Sequence, residues 1–304
     1  DAPRSIVSHR NLRDPGAPSP EIDRLIERAT RNVEFLTQQD SNLQVPSIAQ
    51  LARPTNLGEA EERAQQARQI LGGDSAGPLV GAAIKGSNVG ILAFSFDLGQ
   101  DAPDAASILL EQGAVVLVNG HLHLGRRRLA LVHEWGHCLF ADEYTVDWRV
   151  AESLGDEVWE GRLDRFARAV LLPSEGVSRS WRRSVEGSEN LRTTVVRLAS
   201  EYCVDMSTLA RRLLELGYID LSQGEQVRAV RTTKADIVEL NLVMHDELSA
   251  PELPLVYEES VVRLYRNEFI SSARATDLLF DTWSEDDLPE LPTLPENVIW
   301  KFVS

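Results

Sequence analysis

The sequence is poor in cysteine, in basic residues and in long apolar runs, and each shortage excludes a class of protein. Only 2 cysteines occur among 304 residues, which excludes a small disulfide-stabilised scaffold. Cys138 and Cys203 lie far apart in runs with helical spacing, so we expect two reduced, buried thiols in a cytoplasmic protein. No apolar run approaches the ~20 residues of a membrane helix, so no membrane role is expected.

Basic residues are outnumbered, with 31 Lys and Arg against 47 Asp and Glu and a formal net charge of −16. Unaided nucleic-acid binding needs clustered basic side chains, so this charge argues against direct binding of DNA or RNA. It favours a basic protein as the partner. The length leaves room for two or three domains, and no pattern indicates an oligomeric state.

Hydrophobic periodicity divides the chain into four segments. Residues 1–55 are predicted as a loose arm followed by a helix, and residues 56–175 as the domain that carries the chemistry. Residues 176–230 are predicted as a helical domain that resembles a helix-turn-helix, and residues 231–304 as a C-terminal helical domain. The alternative for 190–230 is a packed helical pair, because that shape is common without DNA binding.

Two short runs, Ile91–Phe96 and Ala114–Val118, are predicted as strands. They are rich in β-branched and aromatic residues and are bounded by Gly and Asn. The run DAASILLEQG between them, residues 104–113, is predicted as a helix. The second strand is either central in its sheet or an edge to which a substrate peptide adds as a further strand.

The run LALVHEWGHCLF, residues 129–140, contains two histidines four residues apart. On an α-helix this spacing is a rotation of about 400°, so His133 and His137 point the same way and can bind one Zn²⁺. Glu134 lies about 100° round the helix, beside the metal, where it can take a proton from water. A chance match in a core helix is the alternative, and Cys138 is interpreted as core packing.

The third ligand is expected from a second helix, WEGRLDRFARAVLLP, residues 159–173. Glu160 lies on its apolar face, where an unpaired carboxylate is costly to bury and a cation explains it. Asp164, one turn later, can accept an N–H from a ligating histidine. Glu157 is the alternative ligand. If Glu160 has no metal role, the alternative is that it only complements the dipole at the start of the helix.

Other candidate residues are less specific. The donor that would stabilise an oxyanion is not identified by the pattern, and a surface or structural role is favoured for each candidate, namely His121, His123, Tyr144 and His245. Arg126–Arg128 could steer an acidic substrate segment, although a solvated turn is the favoured interpretation.

Both motifs together resemble the ImmA/IrrE family of metallo-endopeptidases. The resemblance covers roughly residues 55–230 and rests on RRRLALVHEWGHCLF, an acid-rich spacer and WEGRLDRFARAVLLP. Apolar residues replace other apolar residues of the family pattern at Leu129, Val132, Leu163 and Val170. The matching positions are Arg128, His133, Glu134, Gly136, His137, Glu160, Asp164, Phe166, Ala167, Leu171 and Pro173.

We therefore predict an α+β fold, in which a zincin-like (gluzincin-type) HExxH peptidase domain with a small β-sheet is followed by helical, helix-turn-helix-like domains. The resemblance implies a cytoplasmic zinc protease that cleaves a helix-turn-helix transcriptional repressor. A catalytically silent, metal-stabilised regulator stays open as an alternative, although Glu134 argues against it because a purely structural zinc site needs no base. A DNA-binding regulator that uses residues 190–230 is disfavoured by the net charge.

Overall fold

The computed structural model of the protein describes residues 7–10, 20–140, 156–243 and 245–291, and it combines one small sheet with many helices. Contacts group the chain into two units, Asp1–Arg31 with Val45–Pro254, and Asn32–Gln44 with Leu255–Ser304. No helix in the described ranges has the length and apolarity that a membrane crossing requires. The predicted boundaries at 56, 176 and 231 stay predictions.

The strands are β1 (Val7–Arg10), β2 (Ile91–Phe96), β3 (Ala105–Leu109) and β4 (Ala114–Asn119). The helices before residue 174 are α1 (Pro20–Gln39), α2 (Leu57–Ile70), α3 (Ala82–Ser87), α4 (Leu124–Leu139) and α5 (Asp156–Leu171). Those after it are α6 (Ser174–Glu186), α7 (Leu191–Tyr202), α8 (Met206–Glu215), α9 (Leu221–Ala229), α10 (Lys234–Glu239), α11 (Leu255–Arg266) and α12 (Ser272–Leu278).

The sheet order is β1-β3-β4-β2, so β4 is a central strand. It pairs in parallel with β2, where Ile91 is opposite Ala114, and antiparallel with β3, where Ala105 is opposite Val118. The hypothesis that β4 is an edge open to a substrate peptide is therefore wrong. Strand β3 also pairs antiparallel with β1, in which Ser8 is opposite Ser107.

The predicted helix at residues 104–113 is wrong, because this run forms β3 and a turn. Residues 105–108 are all buried, and a short apolar run of this kind has no periodicity that separates strand from helix. Gly113, at φ 83°, makes the turn into β4. A Cβ at Gly113 would lie 2.5 Å from the carbonyl oxygen of Gly90, so only glycine fits this turn.

Helix α4 begins at Leu124, and its first two turns contain Arg126–Arg128. Arg126 binds Asp104 through two nitrogen–oxygen contacts of 2.7 Å. Arg127 and Arg128 are buried, and Arg128 pairs with Glu247. The favoured interpretation of these arginines as a solvated turn is wrong, because their acidic partners come from distant parts of the chain.

Several other predictions are confirmed. Strand β2 has its predicted bounds, α1 contains the predicted helix, and α7 and α8 form the predicted helical pair, as α11 and α12 do in the tail. Both cysteines are free and buried. Residues 7–10, predicted as part of a loose arm, instead form β1.

Gly136 allows α4 and α5 to approach closely. A Cβ at this position would lie 2.7 Å from Leu163 Cδ2 and 3.2 Å from Phe166 Cδ1 on α5. The same face of α5 carries Glu160, so this contact sets how near Glu160 comes to α4.

Overpacking against α5 should make Gly136→Ala about 1–3 kcal/mol less stable than a Gly→Ala change at an open helix position. Gly161→Ala is the control, because Gly161 is exposed on α5 and a Cβ there meets nothing within 4 Å. It should stabilise the protein by about 0.5–1 kcal/mol. Urea denaturation measures both free energies of unfolding, and a Gly136→Ala variant stabilised as much as Gly161→Ala would contradict the close approach.

Candidate metal centre

Helix α4 holds two histidines side by side on one face. The ring centroids of His133 and His137 are 5.1 Å apart. His133 is buried, at 2% exposure, while the side chain of His137 is 21% exposed. One imidazole is thus enclosed in the core, and the other borders solvent.

Helix α5 brings Glu160 to both rings. Its Oε2 lies 3.0 Å from Nε2 of His133, and its Oε1 lies 3.7 Å from Nε2 of His137. The three ligand atoms all lie within 4.8 Å of one another. Within the ranges that the structure describes, no other three His, Cys, Asp or Glu side chains are arranged to share an ion. The side chain of Glu157 lies outside the described residues.

The carboxylate of Glu160 is held in its ionised form. Burial raises its pKa, but a hydrogen bond from His133 and the proximity of His137 act in the opposite direction. The net result is a pKa below the usual range for glutamate. A carboxylate must be deprotonated to ligate a metal, so the surroundings of Glu160 suit a ligand.

Asp164 contacts the His133 ring at Nδ1, while Glu160 contacts it at Nε2. Oδ1 of Asp164 lies 3.0 Å from Nδ1 of His133. Arg168, one turn further along α5, lies 3.8 Å from the other carboxylate oxygen. A carboxylate at Nδ1 favours the proton on that nitrogen, which leaves Nε2, the nitrogen beside Glu160, as the one that can ligate a metal.

Replacing Asp164 by Ala should weaken metal binding by about 10–100-fold, the usual effect of removing a carboxylate that orients a ligating histidine. Asp164→Asn separates charge from hydrogen bonding, because its amide oxygen still accepts from Nδ1. The metal affinity of Asp164→Asn should lie between that of Asp164→Ala and that of the wild type. Competition with a chromogenic chelator measures the three affinities, and an unchanged affinity in Asp164→Ala would remove this role.

Glu134, which follows His133 on α4, contacts the sheet through Ser107. It is fully buried, at 0% exposure, and the hydroxyl of Ser107 on β3 donates to its Oε2 at 2.6 Å. Cys138, one turn later on α4, is buried against the same strand. Burial raises the pKa of its thiol, as does the charge of Glu134, so Cys138 stays protonated and acts as core packing.

Residues 87–214 match the Peptidase_M78 family model, described as an IrrE N-terminal-like domain. This part of the chain is an IrrE N-terminal-like domain. The match extends from before β2 into α8. It contains His133, His137 and Glu160. It also contains Glu134, Asp164 and Ser107. No curated protein matches the chain significantly.

The IrrE N-terminal-like domain confirms the predicted resemblance to the ImmA/IrrE family and indicates a metal-dependent peptidase that acts on proteins. It is the domain in which the His133, His137 and Glu160 ligand atoms converge. The mixed helix-and-sheet architecture agrees with the predicted α+β class.

Among the residues that the structure describes, none of the candidate oxyanion donors belongs to the cluster of His133, His137 and Glu160. His123 is the N-cap residue of α4 without a capping hydrogen bond from its side chain, and it lies about 15 Å along the helix axis from His133. Nδ1 of His121 lies 3.0 Å from Asp97. His245 lines a cavity with Arg128 and Glu247. Tyr144 lies outside the described residues.

Ser107 of the IrrE N-terminal-like domain contacts Glu134 but was not among the candidate site residues predicted from the sequence. Its run was predicted as a helix, so nothing placed its hydroxyl opposite α4. A polar side chain in the middle of the apolar run AASIL was the available signal, because a buried hydroxyl needs a hydrogen-bond partner.

Proposed function

We propose that this protein is a zinc-dependent endopeptidase that cleaves a helix-turn-helix transcriptional repressor at a specific site and so relieves repression. His133, His137 and Glu160 hold the Zn²⁺, and Glu134 is the general base. The observation that carries the proposal is the convergence of the three ligand atoms within 4.8 Å of one another. Two imidazoles and one carboxylate are the ligands of a catalytic zinc site with an open position, the gluzincin-type arrangement.

The side chains divide the chemistry between them. When bound, Zn²⁺ supplies the Lewis acid that polarises the scissile carbonyl and makes water more acidic. Glu134 takes the proton of the attacking water and delivers it to the leaving amine. Asp164 holds His133 in the tautomer that ligates through Nε2. An intact base next to the ligands favours this enzyme over a catalytically silent, metal-stabilised regulator.

A basic protein is the partner that suits the charge of the chain. The net charge is −16, and a repressor carries Lys and Arg for its phosphate contacts. In α8 the exposed side chains are those of Ser207 and Arg211, whereas a DNA-reading helix lays a face of several side chains in the major groove. This favours protein recognition by the helices after Pro173 over direct DNA binding.

The repressor encoded beside the gene should be cleaved at one site, and casein should be cleaved far more slowly. Opposite charges speed the encounter, so the rate should fall as salt shortens the Debye length from about 30 Å at 0.01 M to about 8 Å at 0.15 M. Gel analysis of timed digests, with and without a chelator, measures both effects.

Comparable cleavage of casein and repressor would contradict a dedicated substrate. Cleavage of neither, by a preparation that contains about one zinc per chain, would favour the silent regulator instead.

A further inference from the structure

We propose that Ser107 is a positioning residue for the reaction, whose hydroxyl on β3 sets the orientation of the Glu134 carboxylate. The inference rests on the proposed function, because it assigns a role in the step that Glu134 performs. The geometry that carries it is the 2.6 Å hydrogen bond from Ser107 Oγ to Glu134 Oε2, between side chains that are 4% and 0% exposed.

The length of this hydrogen bond marks it as a strong one. Hydroxyl–carboxylate hydrogen bonds of 2.5–2.7 Å are charge-assisted and about twice as strong as neutral ones. The carboxylate is fully buried, so protein donors replace most of its hydration by bulk water. A hydrogen bond that holds Oε2 fixes the plane of the carboxylate and therefore also the position of Oε1.

The backbone of Ser107 is fixed on both sides. It lies in the middle of β3, opposite Val116 of β4 and opposite Ser8 of β1. Side chains alternate between the faces of a strand, so Ala105, Ser107 and Leu109 share the face that packs on α4. Ser107 is the polar side chain on that face, and a site built on a paired strand holds its geometry better than one on a loop.

Much of the helix surface beside Glu134 is apolar. Its neighbours on the helix include Ala130, Leu131, Trp135 and Cys138, all members of the hydrophobic core. Without the hydroxyl, the carboxylate would lose the donor that β3 supplies and would turn toward other donors or water. A displacement of about 1 Å in a reacting group lowers rates by about 10²-fold.

Ser95 offers a matched control on the same sheet. It is a strand serine at 0% exposure, and its Oγ donates at 2.6 Å to the carbonyl oxygen of Leu248. Ser95→Ala therefore removes a buried hydrogen bond of the same length from β2 without touching Glu134. Comparison of Ser95→Ala with Ser107→Ala separates a general effect of losing a buried serine hydroxyl from a specific effect on the base.

The test measures cleavage of the adjacent-gene repressor by zinc-loaded wild type, Ser107→Ala, Ser107→Thr and Ser95→Ala. Ser107→Ala should lower kcat by about 10²-fold with KM and zinc content unchanged. Ser107→Thr keeps a hydroxyl and should recover most of that loss, while Ser95→Ala should retain the wild-type kcat.

Three results would overturn the role of Ser107: a wild-type kcat in Ser107→Ala, an equal loss in Ser95→Ala, or no recovery in Ser107→Thr. Failure of the proposed function gives a different result. If the zinc-loaded wild type itself cleaves nothing, the proposed function is rejected, and the role of Ser107 is rejected with it. An active wild type and an equally active Ser107→Ala would reject the positioning role alone.

Discussion

Replacing Glu134 by Gln should reduce cleavage of the repressor by about 10²–10⁴-fold, the range that a general base contributes. An amide cannot accept the proton of the attacking water, so the chemical step loses its base. Zinc content and the free energy of unfolding should stay near the wild-type values. Glutamine has nearly the same shape, and its amide oxygen can still accept from Ser107.

The measurement pairs single-turnover cleavage with elemental analysis of the same preparations. Glu62→Gln is the control, because Glu62 is exposed on α2 and its replacement makes the same chemical change far from the cluster in sequence. A Glu134→Gln variant that cleaves at the wild-type rate would remove Glu134 from the mechanism. One that loses its zinc would make Glu134 a ligand instead of a base.

Replacing Glu160 by Ala should abolish both zinc binding and cleavage. It removes one of three ligands and leaves two imidazoles without the carboxylate that approaches both rings. The wild type should bind about one zinc per chain, and added Zn²⁺ should raise its Tm, because a ligand that binds the native state stabilises it. Glu160→Ala should show no such rise.

Glu157→Ala tests the alternative ligand, and it should keep the zinc content and the Tm response of the wild type. Loss of zinc in Glu157→Ala together with retention in Glu160→Ala would reverse the assignment. His137→Ala should resemble Glu160→Ala, and full zinc occupancy in that variant would contradict the role of the α4 helix. The Tm response needs no substrate, so it tests the site separately from the repressor.

The helical parts of the site could be predicted because they depend on local geometry. Four residues on an α-helix make little more than one turn, so the spacing of His133 and His137 put both rings on one face before any tertiary contact was known. The same reasoning put Glu160 and Asp164 one turn apart on the next helix. Both helices form as predicted, apart from their ends.

The sheet was only partly predictable because strand order depends on pairing between distant residues. Strands β2 and β4 were recognised from their composition, but the central position of β4 follows from its pairing with β3. The run of β3 is buried on both faces, so it lacks the alternation that distinguishes a half-buried strand from a helix.

By itself, the sequence determined which side chains share a helix face, and hence the candidate ligands His133, His137 and Glu160 and the candidate base Glu134. Only the tertiary structure decided what those side chains meet. In it, Glu134 accepts a hydrogen bond from the hydroxyl of Ser107, and Arg127 and Arg128 are buried against Asp246 and Glu247. The physical reason is that helical periodicity arises from backbone hydrogen bonds four residues apart, whereas these contacts join residues that are 27 to 119 positions apart.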